Sequence, residues 1–292
     1  MIQSYSTPEA LADAVARHIV DCAADAIAAR GRFVIALSGG STPKAAYSRL
    51  ATRDTRPRAA WPERSEGAGL WGHPAHEGQA LATDDWRLIH ILWADERCVP
   101  PDDPQSNYRM AKEALLDRVP IPPNHIHRIR GEDEPERAAS EYERTLRSLL
   151  DCHPERSAKP APSPVCSGQA LSAAEGLGMT DSLDLVLLGL GEDGHTASLF
   201  PGQSAVRETA RWVVAVPGSS RVTLTPVILN RARNVTFVVS GANKAQTLQR
   251  VVEGPFNPDI LPAQAIRPGE GRLTWMVDEA AAGALRPHRA ST

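Results

Sequence analysis

Three glycines, two acids and a histidine lie within seven consecutive residues of this 292-residue chain, from Gly189 to His195. They follow a short apolar run, Leu185 to Leu188, which is typical of a fully buried strand. Glycine lets a backbone turn sharply and approach a ligand closely, and an imidazole can act as a general base. A buried strand that ends in glycine, acid and imidazole is a common way to build an active site in an α/β protein. The segment therefore predicts a site in which His195 activates water and Asp193 orients the imidazole.

Two other interpretations fit the same segment. The spacing Gly189-x-Gly191-x-x-Gly194 matches a dinucleotide-binding fingerprint, a pattern with many false positives when it stands alone. That fingerprint normally lies in the first strand–helix unit, whereas this one lies two-thirds along the chain, and Asp193 and His195 would crowd a pyrophosphate. The second interpretation is a structural loop in which His195 only packs or caps. Spacing alone does not decide between that loop and a catalytic role.

A second predicted strand also ends in small polar residues. The apolar run Phe33–Leu37 leads into five small residues: Ser38, Gly39, Gly40, Ser41 and Thr42. A helix is predicted to resume at Lys44, so backbone N–H groups and the two later hydroxyls can hold a phosphate at a helix N-terminus. A simple turn with a helix cap is the alternative, and the glycine pair before the helix favours the phosphate site. The spacing of a Walker A loop is absent.

Charged side chains follow two further predicted strands. The run 86–93 leads into Asp95, Glu96 and Arg97, and the run 234–240 leads into Gly241 and Lys244. Charge runs usually form surface salt bridges, and a solvated lysine in a first helical turn fits Lys244 equally well. However, the carboxyl ends of parallel strands lie at one edge of a sheet. We therefore expect Asp95, Arg97 and Lys244 to share one site with the two glycine loops.

Strands and helices alternate along the whole chain, which predicts an α/β fold. A first helix is expected after Thr7 as its N-cap, and more helices are expected at 108–116, 135–150, 245–252 and 278–285. Further strands are expected at 126–129, 212–216 and 273–277. This order predicts a three-layer α/β/α arrangement around a mostly parallel, Rossmann-like sheet. We expect one domain over residues 1–285.

Two tracts of roughly 30 residues, 53–84 and 151–181, lack any helical or strand period and are longer than most structureless connections. Both contain the tetrapeptide Pro-Glu-Arg-Ser, at 62–65 and 154–157. We interpret both as mobile surface insertions and residues 286–292 as a disordered tail. The histidines inside the insertions are therefore not expected to be catalytic.

Bulk composition excludes several classes of protein. A net charge of −3 argues against a general nucleic-acid binder, and no apolar run approaches the roughly 20 residues that a membrane span needs. The first residues lack the layout of a signal peptide. The four cysteines show no C-x-x-C pair and no zinc spacing. We therefore expect free thiols, no metal site and a cytoplasmic location. Nothing in the sequence specifies an oligomeric state.

Five segments together resemble the 6-phosphogluconolactonases of the glucosamine-6-phosphate isomerase/6-phosphogluconolactonase family. They are Ser-Gly-Gly-Ser-Thr-Pro at 38–43, Trp-Ala-Asp-Glu-Arg-Cys-Val-Pro at 93–100, Ser-Asn at 106–107, the segment 189–202 and Arg-Val-Thr-Leu-Thr at 221–225. The resemblance implies the fold of the sugar-phosphate isomerases and deaminases. It also implies hydrolysis of a small-molecule substrate, 6-phospho-D-glucono-1,5-lactone, to 6-phosphogluconate in the oxidative pentose phosphate pathway. That reaction runs without metal or cofactor.

The resemblance also implies how the predicted site residues are used. His195 would deprotonate the water that attacks the lactone carbonyl, with Asp193 fixing the imidazole. Donors must meet the negative charge that develops on the carbonyl oxygen; Arg97 or backbone N–H groups of the glycine loops, Gly191 among them, would supply them. The 6-phosphate would be held by Arg221, Lys244 and the loop 38–42, with Asp95 as a further substrate contact. Which cation meets the phosphate and which meets the lactone is left open.

Three other functions remain alternatives at this point. In the related glucosamine-6-phosphate deaminases the histidine motif continues Ile-Ala-Phe-Asn-Glu-Pro, and an aromatic residue stands in place of Arg97. Here the motif continues Thr-Ala-Ser-Leu-Phe-Pro from Thr196, so both departures favour the lactonase over a deaminase or isomerase. A non-catalytic phospho-sugar-binding protein would be expected to have lost Asp193 or His195. A nucleotide-binding oxidoreductase would need a glycine loop free of that histidine.

Overall fold

The structure, a computed structural model, describes residues 1–52, 81, 83–150 and 182–286. The predicted insertion 151–181 therefore lies outside the described residues, as does 53–84 except for Leu81, Thr83 and Asp84, and the predicted tail beyond residue 286. Arg286 itself is described, and its backbone N–H donates to Glu253 Oε1 at 2.8 Å. Among the helices of the described ranges, none has the length and apolar character to cross a membrane.

The described residues form nine strands and eight α-helices. The strands are β1 (Ile2–Tyr5), β2 (Phe33–Leu37), β3 (Ile89–Trp93), β4 (Asp95–Arg97), β5 (Leu185–Leu188), β6 (Val213–Ala215), β7 (Arg221–Leu224), β8 (Asn234–Val239) and β9 (Arg272–Asp278). The helices are α1 (Pro8–Arg30), α2 (Ser41–Thr52), α3 (Thr83–Trp86), α4 (Asn107–Ala114), α5 (Pro135–Leu150), α6 (Pro226–Leu229), α7 (Ala245–Glu253) and α8 (Glu279–Ala282).

Six of the strands form one parallel sheet in the order β1-β9-β8-β5-β2-β3. Every residue of β2 and β5 is buried, because helices cover both faces of a parallel sheet and leave no polar side to its central strands. Helix α1 begins after Thr7, whose hydroxyl accepts from Ala10 N–H at 3.1 Å, and ends at Gly31 with a φ of +71°. The predicted three-layer α/β/α fold is confirmed.

A second, three-stranded antiparallel sheet has the order β4-β7-β6. Ala94 joins the two sheets: its N–H donates to Leu37 O, and its carbonyl accepts from Leu224 N–H, both at 2.8 Å. The chain thus leaves the parallel sheet at the carboxyl end of β3 and enters the antiparallel sheet one residue later. This arrangement brings β4 and β7 beside the carboxyl ends of the parallel strands.

Several element predictions differ from the structure. The strand predicted from Trp86 begins at Ile89, because Trp86 belongs to the short helix α3. The strand predicted at 126–129 does not form. Ile126 makes only an isolated bridge with Ile91, directly after a 3-10 turn over Pro123–His125. Helix α2 begins at Ser41, three residues earlier than predicted, so two hydroxyls of the loop 38–42 belong to its first turn.

Candidate active site

A cavity of about 370 Å³ lies between the carboxyl ends of the parallel strands and the antiparallel sheet. Eleven of the twelve predicted site residues line it: Ser38, Gly39, Gly40, Ser41, Thr42, Asp95, Arg97, Gly191, His195, Arg221 and Lys244. The twelfth, Asp193, contacts the ring of His195. The structure therefore brings together residues that lie far apart in the sequence, from Ser38 to Lys244.

His195 and Asp193 form a close pair in the loop after β5. The distance between His195 Nδ1 and Asp193 Oδ1 is 2.6 Å, and the same oxygen accepts from His195 N–H at 3.1 Å. Partial burial alone would raise the pKa of the Asp193 carboxyl, but the hydrogen bonds from the His195 backbone and ring outweigh it and lower that pKa. An ionised Asp193 favours the tautomer with the proton on Nδ1, which leaves Nε2 as the basic atom. Nε2 has no hydrogen-bond partner among the described residues.

The glycines of this loop are required by its close contacts. A Cβ atom on Gly191 would lie 2.6 Å from Asp193 Oδ1 and closer still to the His195 ring, so only glycine leaves room for the pair. Gly191 N–H also donates to His195 O at 2.8 Å, and Gly194 turns the chain with a φ of +86°. No α-helix of the described ranges begins between β5 and β6, so the loop offers no helix N-terminus to a pyrophosphate. The dinucleotide-binding interpretation is therefore wrong.

Phe200 lies between His195 and Arg221. Its ring centroid is 4.8 Å from that of His195, and the Arg221 guanidinium carbon is 5.5 Å from the Phe200 centroid. The intervening Ala197 has a φ of +48°, a left-handed conformation that is rare for residues other than glycine and often marks functional loops. Thr196 holds this turn by donating its hydroxyl to Gly189 O at 2.8 Å.

The loop 38–42 presents a hydroxyl and a helix N-terminus to the cavity. The phenol of Tyr47 fixes the strand end by accepting from Ser38 N–H at 3.1 Å and donating to Ser38 O at 3.0 Å. Gly40 then turns into α2 with a φ of +109°. The Ser38 hydroxyl is buried and has no partner within the described part of the chain, so it is available to a ligand.

Arg97 and Arg221 are cross-strand neighbours on β4 and β7. Arg221 Nη1 lies 3.8 Å from Asp95 Oδ2. Burial lowers the pKa of Arg221, and the positive charge of Arg97 lowers it further. The Arg97 guanidinium donates only to oxygens of uncharged groups in the described residues, Gln105 O at 2.6 Å and Asn107 Oδ1 at 2.9 Å. Two adjacent cations, of which only Arg221 lies near a carboxylate, make this side of the cavity attractive to an anion.

Lys244 reaches the cavity from the turn before α7. Its Nζ lies 3.7 Å from Glu192 Oε1, which also accepts from Asn243 Nδ2 at 2.6 Å. The carbonyl of Glu192 accepts from the Thr247 hydroxyl at 2.6 Å. Glu192 therefore connects the loop that carries His195 to the helix start that carries Lys244.

Asp95 and Glu96 are buried, so the alternative of a surface salt-bridge cluster is wrong for them. Asp95 Oδ2 accepts from the Ser198 hydroxyl at 2.6 Å. The Glu96 carboxylate accepts from three backbone N–H groups at 2.8 Å, those of Arg97, Asn107 and Tyr108. Burial raises the pKa of Glu96 although these hydrogen bonds oppose the rise. Glu96 thus anchors the N-terminus of α4, whereas Asp95 faces the cavity.

Comparison with known proteins identifies the family. The sequence model of "Glucosamine-6-phosphate isomerases/6-phosphogluconolactonase" matches residues 6–65 and 70–275. The chain belongs to this family. A 6-phosphogluconolactonase from Synechocystis sp. is 36% identical over 265 residues, which are 90% of this chain and 88% of the relative. One from Mycobacterium leprae is 32% identical over 294 residues, or 97% and 98% of the two chains.

Solved structures of the family share the fold. The 6-phosphogluconolactonase from Trypanosoma brucei superposes with a TM-score of 0.71 at 28% identity, over 98% of each chain. A monomeric glucosamine-6-phosphate deaminase superposes with a TM-score of 0.66 at 20% identity, over 97% of this chain and 99% of the deaminase. Because that identity is low, the deaminase shows the likeness of fold alone.

Among the residues at or beside the cavity that were not assigned to the site from the sequence, three have side chains that contact predicted site residues: Asn107, Ser198 and Phe200. All three lie within the segments that carry the family resemblance, 106–107 and 189–202. The motif signal was therefore present. What the sequence did not contain was the contact of each residue with a distant strand.

Proposed function

We propose that this protein hydrolyses 6-phospho-D-glucono-1,5-lactone to 6-phosphogluconate, the lactonase step of the oxidative pentose phosphate pathway, with His195 as general base. The relatives named 6-phosphogluconolactonase support the reaction and its class, hydrolysis of a sugar-phosphate lactone. The observation that carries the histidine step is the 2.6 Å contact between Asp193 Oδ1 and His195 Nδ1, which directs Nε2 to receive a proton in a cavity rich in cations.

The proposed reaction balances with one water. His195 Nε2 takes a proton from the water as its oxygen bonds to the lactone carbonyl carbon, which gives a tetrahedral oxyanion and an imidazolium. The intermediate then collapses, the bond from the carbonyl carbon to the ring oxygen breaks, and the imidazolium returns its proton to that oxygen. The product is an open-chain carboxylic acid that ionises and releases one proton to solvent. Asp193 stays ionised and stabilises the imidazolium.

We assign the polar groups of the cavity to two parts of the substrate. Ser38 and the N-terminus of α2 lie on the parallel sheet with Lys244, and we propose that they bind the 6-phosphate together with Arg221. The Arg97 guanidinium has no carboxylate oxygen within 4 Å in the described chain, so we assign it to the oxyanion. A charge that is not compensated in the free enzyme stabilises a developing negative charge most strongly.

A pH-stat assay on freshly generated lactone tests both parts of the proposal. The wild-type protein should accelerate proton release above spontaneous hydrolysis and should release no ammonia from glucosamine 6-phosphate. His195→Ala should lower kcat by about 10²- to 10⁴-fold, the usual contribution of a general base. His125→Ala is the matched control, because His125 is half-buried and does not line the cavity.

The outcomes separate the reaction from its mechanism. A wild-type protein that does not accelerate lactone hydrolysis would refute the proposed reaction. A normal wild-type rate with near-normal turnover by His195→Ala would leave the reaction intact and refute the role of the histidine.

A further inference from the structure

We infer that Asn107 is a positioning residue for Arg97: its neutral carboxamide separates the Arg97 guanidinium from the Asp95 carboxylate and leaves the arginine charge available to the substrate. The inference rests on the proposed function, because the charge matters only if an oxyanion forms in this cavity. Nothing in the sequence pattern around Asn107 beyond a helix start indicates this role.

The two ends of the Asn107 amide contact groups of opposite charge. Nδ2 donates to Asp95 O at 2.9 Å and to Asp95 Oδ1 at 3.2 Å. Oδ1 accepts from Arg97 Nη1 at 2.9 Å. The reversed amide would place its NH₂ against the guanidinium and its oxygen against the carboxylate, so the network permits one orientation only. The residue is buried, with 2% of its surface exposed.

Asn107 is held at this point from two directions. As the first residue of α4, it donates its backbone N–H to Glu96 Oε1 at 2.8 Å. On the other side its amide packs against Gly39 of the phosphate loop, where an added Cβ atom would lie 2.6 Å from Asn107 Cγ. The amide therefore has little freedom to move, and its oxygen defines where the Arg97 guanidinium stands.

The charge pattern around Asp95 supports the same role. Asp95 accepts from Ser198 and Asn107 and lies 3.8 Å from Arg221 Nη1, so its carboxylate has other partners. Arg97 has the neutral partners Gln105 O and Asn107 Oδ1 instead. Without the Asn107 amide, the most direct new contact open to Arg97 is a pair with Asp95 on the same strand. Such a pair would partly neutralise the cation that faces the lactone.

Two substitutions at 107 distinguish positioning from a structural role. Asn107→Asp keeps the shape but places one carboxylate oxygen beside the Arg97 guanidinium and the other beside the Asp95 carboxylate, where the wild-type Nδ2 donates at 3.2 Å. It therefore tests whether compensating the Arg97 charge lowers kcat, and thermal unfolding reports the repulsion from Asp95 separately. Positioning predicts a fall in kcat of about 10- to 100-fold, below the full loss of an oxyanion donor, with KM within about twofold. Asn107→Ala should behave similarly because it releases Arg97. Asn124→Asp, at an exposed position on the 3-10 turn, is the matched control.

A double-mutant cycle with Arg97→Ala decides the matter. If Asn107 acts through Arg97, Asn107→Ala should lower kcat in the wild-type background and change it by less than about twofold when Arg97 is already alanine. Equal losses in both backgrounds, or a rise in KM at constant kcat, would overturn the inference. Thermal unfolding of each variant shows whether the fold survives.

A structural readout keeps this inference separate from the proposed function. In a crystal structure of Asn107→Ala, the Arg97 guanidinium should leave Gln105 O and approach Asp95. An arginine that keeps its place refutes the positioning role whatever the activity. A wild-type protein without lactonase activity, by contrast, refutes the proposed function and not the geometry.

Discussion

Replacing Asp193 by Asn removes a charge from the site and almost no volume. The amide oxygen can still accept from His195 N–H, now 3.1 Å from the carboxylate, so the loop should keep its shape. What is lost is the ionised partner 2.6 Å from Nδ1. Hydrogen bonds that involve a charged group contribute about 1.5–3 kcal/mol, which corresponds to about 10- to 150-fold in rate. Because 50% of the Asp193 side chain is exposed, solvent screening favours the lower part of this range.

We therefore expect Asp193→Asn to lower kcat by about 10- to 50-fold, an estimate that follows from this screened hydrogen bond. KM should stay unchanged, because Asp193 does not line the cavity. The assay is proton release in a pH-stat at saturating lactone, corrected for spontaneous hydrolysis. Glu192→Gln is the control: it removes an acid from the same loop, but one whose side chain contacts Lys244 and Asn243. The reasoning fails if Asp193→Asn keeps kcat within twofold of wild type, or if its loss appears in KM.

Two further predictions concern the glycine loop after β5 and His18, a half-buried histidine of α1. Gly191→Ala should lower kcat at least about 100-fold with an unchanged far-UV circular dichroism spectrum, because its Cβ displaces the proposed catalytic pair, His195 and Asp193, and small misplacements are costly. Gly269→Ala, whose Cβ also meets nothing within 4 Å and which does not line the cavity, should keep activity; equal losses in the two variants would contradict this account. Burial lowers the pKa of His18 to about 4, from a usual 6.5, and Arg272 adds to the effect. The unfolded chain therefore binds this proton first as the pH falls, and the free energy of unfolding should decrease between about pH 6.5 and pH 4, by up to about 1.4 kcal/mol per pH unit from this group. Urea unfolding of wild type and His18→Gln at pH 7 and pH 5 checks it, since the substitution should flatten the slope; the same slope in both proteins would show that His18 is not responsible.

The parallel sheet could be predicted because its central strands are unbroken apolar runs. Strands β2, β5 and β8 each end in glycine and polar residues, and the common edge of a parallel sheet then brings 38–42, 189–195 and Lys244 together. The antiparallel sheet could not be predicted in the same way. Strand β4 consists of Asp95, Glu96 and Arg97, three charged residues without strand propensity. It exists because β7, more than a hundred residues away, pairs with it.

Asn107 shows the same limit at the level of one side chain. From the sequence it belongs to a turn-rich segment that starts a helix, and it does start α4. Its proposed role depends on the position of β4, and no local pattern contains that information. The early start predicted for β3 has a local cause, because the buried Trp86 continues the apolar run although it belongs to α3.

Ala94 has a consequence for how such an enzyme can diversify. This single residue links the parallel sheet, whose strand ends carry the proposed base His195 and the proposed phosphate-binding loop 38–42, to the antiparallel sheet that carries Arg97 and Arg221. Substitutions of Arg97 or Arg221 can therefore change which part of a substrate is held, while the backbone hydrogen bonds of the parallel strands are kept. Ser198 and Phe200 limit this freedom, because they join the loop that carries His195 to Asp95 and Arg221. Chimeras that exchange β4 together with β6 and β7 for those of another family member would be the natural place to look for altered substrate range.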